Sequence, residues 1–335
     1  MHQTNVMLGV LARGLVLLIG VWMPVSCIDQ PGDYSAEDSP RFEPVPVIKP
    51  GAQVIGLALG SGGPRVFAAI GVLKALEANG YVPDLIVGTS GGATVGALYA
   101  AGFTPDQIEA IALDMSVFDV IDFAISDYGY IGGHALHGKL LRLLEGKAIE
   151  ALKKPFAAVV THVETGGLEI LNRGNAALAV RASIAIPGVF LPVIIDGAHY
   201  VDGEIVAPVP IRVAKQLGAE IVIAIDVQAR LDEAPPMPAY PAEWLMLGAL
   251  KRRLVDAEVD DTTILIQPLL PYYAGFSNAY KRRLIAAGEE AVKEVLPKLQ
   301  SLINPEDRKT RKAGWSDWLF ARRPPGRRPD ASFSL

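Results

Sequence analysis

At 335 residues, half of them apolar and 7% aromatic, the chain has material for one sizeable globular domain with tails. Its formal net charge of −5, with no basic stripe interleaved with aromatic residues in the central region, argues against nucleic acid as a partner. A single cysteine, Cys27, excludes an intramolecular disulfide and any multi-cysteine zinc site.

In chain order, the first feature is an apolar run, Gly14 to Val25 (GLVLLIGVWMPV), preceded by Arg13. Its length is that of a signal-peptide core and too short to span a bilayer comfortably. It ends in Val25-Ser26-Cys27, which resembles the lipobox of bacterial lipoproteins, where the cysteine is lipidated and becomes the first mature residue; Pro24 stands where Leu is usual. The expectation is a lipoprotein-type signal peptide over residues 1–26 and a lipid-bearing Cys27. An ordinary signal peptide cut nearby, or an uncleaved anchor starting near Val6, are the alternatives. Acyl chains on Cys27 would hold the chain at a membrane surface, in a bacterial envelope, on the outer-membrane or periplasmic side more than in the cytoplasm.

Residues 27–50 are acidic and rich in proline (Pro31, Pro40, Pro44, Pro46, Pro50), and they read as a tether. The globular part is expected over residues 51–304. Short apolar runs bounded by glycine (VIGLALG from Val54, DLIVGTS from Asp84) predict buried strands, each followed by a helical pattern, FAAIGVLKALEANG and ATVGALYAAG. Gly80 and Gly102 mark helix stops, and Thr104-Pro105 an N-cap followed by proline at the first helical position. Further on, LHGKLLRLLEG predicts a helix, PFAAVVTHV, LEILN, EIVIAIDV and TTILIQP predict strands, and PAEWLMLGALKRRLVDA and YKRRLIAAGEEAVKEVLPKLQSL predict two more helices. Alternation of this kind argues an α/β fold with a mostly parallel central sheet covered by helices on both faces. Residues 305–335 carry eight Lys or Arg against four Asp or Glu and read as a disordered basic tail.

Gly88-Thr89-Ser90-Gly91-Gly92 is a G-x-S-x-G at a predicted strand-to-helix junction. A turn tight enough to expose a serine hydroxyl needs residues of minimal size two before and two after it, and the following helix brings its N–H groups and positive dipole end to developing negative charge. Ser90 is the candidate nucleophile. Gly60-Ser61-Gly62-Gly63-Pro64-Arg65 follows the first strand and lacks the Gly-Lys-Ser/Thr of a phosphate-binding loop. It reads as an oxyanion hole, with Gly62 and Gly63 as donors. Tyr200-Val201-Asp202-Gly203, taken by itself, reads as a turn.

Together these blocks resemble the patatin-like phospholipases: the Gly-rich turn with its helix, the GTSGGA elbow, RASIAIPGVFLP at Arg181 to Pro192, and VDGEIVAPVP at Val201 to Pro210 occur in that family's order. The resemblance covers roughly Val54 to Val227. It implies a three-layer α/β/α patatin-like domain, a Ser90–Asp202 dyad in place of a triad, an acyl-enzyme intermediate, and a membrane lipid as substrate, with no metal or cofactor. Gly88, Gly91, Gly92, Arg65 and Gly203 are the remaining motif residues. Three positions depart from the pattern: Pro64 has no N–H to donate, which narrows the candidate donors to Gly62, Gly63 and, as a further candidate, Gly91; Val66 stands where Gly is usual; and Glu204 replaces a second Gly after Asp202. A Ser-His-Asp arrangement would need His199 with Asp196 or Asp127, since no histidine follows His199. An acyltransferase using the same serine, and a non-catalytic envelope lipoprotein of the same fold, are the rival functions.

Overall fold

The computed structural model describes residues 33–34, 39–43, 53–228, 242–271 and 274–303. The expectations for the signal peptide, Cys27 and the basic tail lie outside the described residues.

Strands β1 (Asp33–Tyr34), β2 (Ile55–Leu59), β3 (Leu85–Thr89), β4 (Phe156–His162), β5 (Leu168–Leu171), β6 (Val193–Ile195), β7 (Ala198–Asp202), β8 (Ile221–Ile225) and β9 (Thr263–Ile266) form one sheet. Its order is β1-β6-β7-β4-β3-β2-β8-β9, with β5 pairing β4 off this path. The centre is parallel, as the alternating pattern implies: β2 pairs β3 and β8, β3 pairs β4, and β8 pairs β9. Among the named strands of the described residues, the β4–β5, β4–β7 and β6–β7 pairs are antiparallel, and β1 joins β6 in parallel.

Residue alternation along the strands builds two cores. On one face, Leu57, Leu59, Ile86, Val160 and Ile223 pack beneath α1 (Phe67–Ala78), α2 (Gly91–Ala101), α3 (Pro105–Asp114), α4 (His134–Leu143), α5 (Ala176–Ser183) and the long α8 (Asn278–Leu302). On the other, Ala58, Val87, Val159 and Val222 meet Ile211 and Val213 of α6 (Ile211–Gln216) and Val255 of α7 (Ala242–Glu258). The result is a three-layer α/β/α fold. Helices α1 and α8 approach each other through glycine: a Cβ on Gly71 would lie 1.8 Å from the Ile285 carbonyl oxygen, and one on Gly288 1.9 Å from that of Ala68.

Helix punctuation follows the local chemistry. Thr104 caps α3 in a reciprocal capping box with Gln107, and Gly102 ends α2 in the left-handed region. Arg181 and Ser183 of the RASIAIPG block lie on α5. One reading is corrected. The tether is folded in part: β1 pairs β6, Ser39 and Pro40 are buried, Glu43 N–H donates to Asn172 Oδ1 at 2.8 Å, and Arg173 Nε donates to Glu43 Oε2 at 3.1 Å. The β6 partner strand and the Asn172 and Arg173 side chains supply what the segment cannot supply itself.

Candidate active site

The sheet register brings Ser90 and Asp202 together. Thr89, the last residue of β3, pairs with Val159 of β4, and Asp202, the last residue of β7, pairs with Val160. The two candidates therefore flank β4 at one level, 112 positions apart by their numbers in the chain. The site lies where β3 leaves the centre on one side of β2 and β8 on the other, outside the carboxyl ends of parallel strands, where open α/β sheets bind ligands.

Ser90 occupies φ 56°, ψ −127°, a conformation that a residue with a side chain rarely adopts. The elbow has no room to relax. A Cβ on Gly88 would stand 2.5 Å from Ala93 Cα, and one on Gly92 2.3 Å from the Leu59 carbonyl oxygen, which accounts for glycine on both sides of Ser90. Ser183 braces the turn: its Oγ accepts from Ser90 N–H at 2.9 Å and donates to the Val159 carbonyl at 2.6 Å.

Asp202 is fully buried. Its Oδ1 accepts from Glu204 N–H at 2.8 Å, its carbonyl accepts from Thr161 Oγ1 at 2.9 Å, and its Oδ2 is buried without a hydrogen-bond partner. Burial pushes its pKa well above the usual carboxylate range; the Glu204 charge pushes the same way, while the Ser90 hydroxyl and the Lys251 ammonium oppose it. Lys251, from α7, pairs with Glu204 at 2.8 Å, both side chains being largely buried. The uncommitted carboxylate oxygen and raised basicity suit a general base acting on Ser90.

Around Ser90 opens an apolar cavity of about 190 Å³, walled by Phe67, Ile70, Leu98, Ile108, Met115 and Phe276 among others. Gly63, Pro64 and Gly91 line it beside Ser90. Gly62 is not on this wall; a Cβ there would point at the Val227 carbonyl oxygen, 2.7 Å away. Among the described residues, no acceptor takes the N–H groups of Gly63 or Gly91, whereas Ser90 N–H is committed to Ser183. Gly63 and Gly91 thus stand at the cavity with unclaimed N–H groups, whereas Gly62 does not line it. Val66 fills the space that the family's usual Gly would leave, against Gly91. Arg65 lies on the single helical turn Gly63–Val66, its N–H donating to the Gly62 carbonyl at 3.1 Å, and Gly203 opens the turn after Asp202.

No histidine among the described residues lines the cavity. His199 Nδ1 is held by Glu164 Oε1 at 2.6 Å, and Asp196 sits at the tip of the β6–β7 hairpin with φ 51°. Asp127 is exposed. None of them approaches Ser90 as a triad member. Among the described residues there is also no group of three or more His, Cys, Asp or Glu side chains placed to hold a metal ion.

Residues 57–215 match the patatin-like phospholipase family. The match supports the family expected from the sequence blocks. An uncharacterised NTE family protein of Mycobacterium tuberculosis is 36% identical over 198 residues, 57% of this chain and 54% of that protein. The human patatin-like phospholipase domain-containing protein 6 is 37% identical over 182 residues, 52% of this chain and 13% of that protein. The chain thus spans about half the length of the first relatives it matches, or less. Among solved structures, VipD from Legionella pneumophila aligns with a TM-score of 0.44 and 13% identity, over 74% of this chain and 67% of that one.

Sequence reasoning missed Ser183, Thr161 and Lys251. Ser183 left one signal, a small hydroxyl residue inside an apolar helical run. Lys251 left none, since its helix lies beyond the matched segment and only the fold brings it to Glu204.

Proposed function

We propose that this protein is a serine lipid acyl hydrolase working through a Ser90–Asp202 dyad. The observation that carries the reading is a strained, cavity-facing Ser90 beside a buried aspartate whose free oxygen has no other partner. Asp202 takes the Ser90 hydroxyl proton as Oγ bonds to the ester carbonyl carbon, and the oxyanion that forms is met by the N–H groups of Gly63 and Gly91. The intermediate collapses with cleavage of the C–O bond to the alcohol, which takes the proton back from Asp202. Water then adds to the acyl-enzyme with Asp202 again as base, and releases the fatty acid. The apolar cavity would hold the acyl chain, and Pro64 would shape the wall without contributing a donor.

A fluorophosphonate should label wild type at Ser90 and leave Ser90→Ala unlabelled. Ser90→Ala and Asp202→Asn should each lower ester hydrolysis at least about 10³-fold with the fold intact by circular dichroism. Retention of most activity in either variant contradicts the dyad. Lipid profiling with an added acceptor alcohol separates hydrolysis from acyl transfer. The apolar run before Cys27 supports lipid anchoring at that cysteine in a bacterial envelope. Cys27→Ser should then release the protein from the membrane fraction; unchanged partition and an unlipidated wild-type N-terminus by mass spectrometry would count against anchoring.

A further inference from the structure

Between α3 and α4 the chain forms a strap, Ser116 to Gly132, that borders the cavity through Val120. Val120, together with Met115 just before the strap, lines the cavity, and Ile131 bridges to Phe190, another lining residue. The outer side carries Phe118, Phe123 and Tyr130, exposed to 77%, 86% and 71%, with Val117, Ile125 and Tyr128 also exposed. The strap is not loose: Ala124 N–H donates to Tyr130 O at 2.9 Å, and Tyr130 N–H and Ile131 N–H both donate to Val189 O at 2.9 Å.

Its charges are arranged as narrowly as its apolar groups. The strap contains no Lys or Arg and three aspartates. Asp122 is spent on the start of α4, accepting from Gly133, His134 and Ala135 N–H, and Asp119 pairs with Lys139 and accepts from Ser116 N–H. Only Asp127 is left outward and exposed. The exposed face is therefore aromatic and aliphatic with almost no charge, a composition that seats in the interfacial layer of a bilayer. A soluble surface has no reason to group so many large apolar side chains beside a cavity. Without basic residues the face has no complement for an anionic headgroup, but it suits a zwitterionic one.

We propose that the Val117–Tyr130 face is the surface by which this protein docks on zwitterionic phospholipid, beside the cavity that Val120 of the same strap lines. The proposal rests on the acyl hydrolase reading for its purpose, but its test reads binding separately. The full-length protein is mixed with phosphatidylcholine vesicles, and both co-sedimentation and phosphatidylcholine hydrolysis are measured for wild type and Phe118→Asp/Phe123→Asp. Turnover of a short-chain, fully dissolved p-nitrophenyl ester is measured in parallel. The double variant should lose vesicle hydrolysis and the strap-dependent part of vesicle binding by about tenfold or more, with dissolved-ester turnover unchanged. Equal vesicle binding and hydrolysis in both proteins overturns the docking surface. Binding that requires phosphatidylserine and disappears in high salt also overturns it, since it assigns attachment to basic segments. Loss of turnover on both substrates in wild type, with binding still sensitive to the double variant, would reject the hydrolase reading and keep the surface.

Discussion

In the proposed dyad Asp202 faces two demands at once, since a base must be ionised to act and a buried carboxylate resists ionisation. Because its folded pKa is raised, the stability it contributes is fully present below the unfolded carboxylate range and is lost as pH rises through the folded value. Above that value the ionised group therefore costs stability. Asp202→Asn keeps an oxygen for the Glu204 N–H, removes the buried charge, and should raise Tm at neutral pH while eliminating turnover; a lowered Tm in thermal denaturation would contradict this. Burial is the main cause of the raised value, and the charges of the Glu204–Lys251 pair act on it in opposite directions. Lys251→Met leaves the Glu204 charge uncompensated and should move the acidic limb of the kcat/KM profile to higher pH. Glu204→Gln should move it lower, and the double variant back toward wild type. Ser183→Ala strips the acceptor from Ser90 N–H, an unmet buried donor costing about 1–3 kcal/mol. Here kcat should fall about 10–100-fold with KM little changed, by steady-state kinetics.

At the scale of elements, the tightest packing lies between α1 and α8. Gly71→Ala would drive a methyl group into the Ile285 carbonyl, and helices separate only by displacing the sheet beneath them. The expected loss is about 3 kcal/mol in urea denaturation, at the upper end of ordinary overpacking. Most elements were legible from residue pattern because their burial is one-sided or complete: β2, β3, β4 and β8 stand as short apolar runs flanked by glycine, proline or charged residues, and α3 announces its own cap. Short elements were not. Helix α6 has six residues, too few for a period, and β6 and β7 are visible only as a hairpin closed by Asp196-Gly197, whose turn chemistry sits between two modest apolar stretches. Segment 39–43 escaped for the opposite reason, since its order comes from Asn172 and Arg173, distant partners that no local window contains. In the site, Ser90 followed from spacing, whereas the packing of Gly62 against Val227, away from the cavity wall, shows only in the fold.

For the molecule as a whole, the helical layer over one sheet face holds a cavity, and the other layer is filled by small apolar contacts. Enlarging a cavity residue should therefore act on substrate range more than on stability. Ala112→Phe, on the cavity wall, should reduce turnover of long-chain esters well beyond that of short-chain ones; an unchanged ratio of the two kcat/KM values would place the acyl chain elsewhere. The register across β4 carries a further consequence. Ser90 and Asp202 reach each other only because β3 and β7 pair on opposite flanks of one strand at adjacent positions, and a two-residue slip of either would move the partner about 7 Å along. Covalent capture of Ser90 by an acyl-directed probe is thus a ruler for the sheet. The fraction of molecules it labels counts those whose strands have closed in the right alignment, so that one chemical readout can follow refolding of the entire sheet.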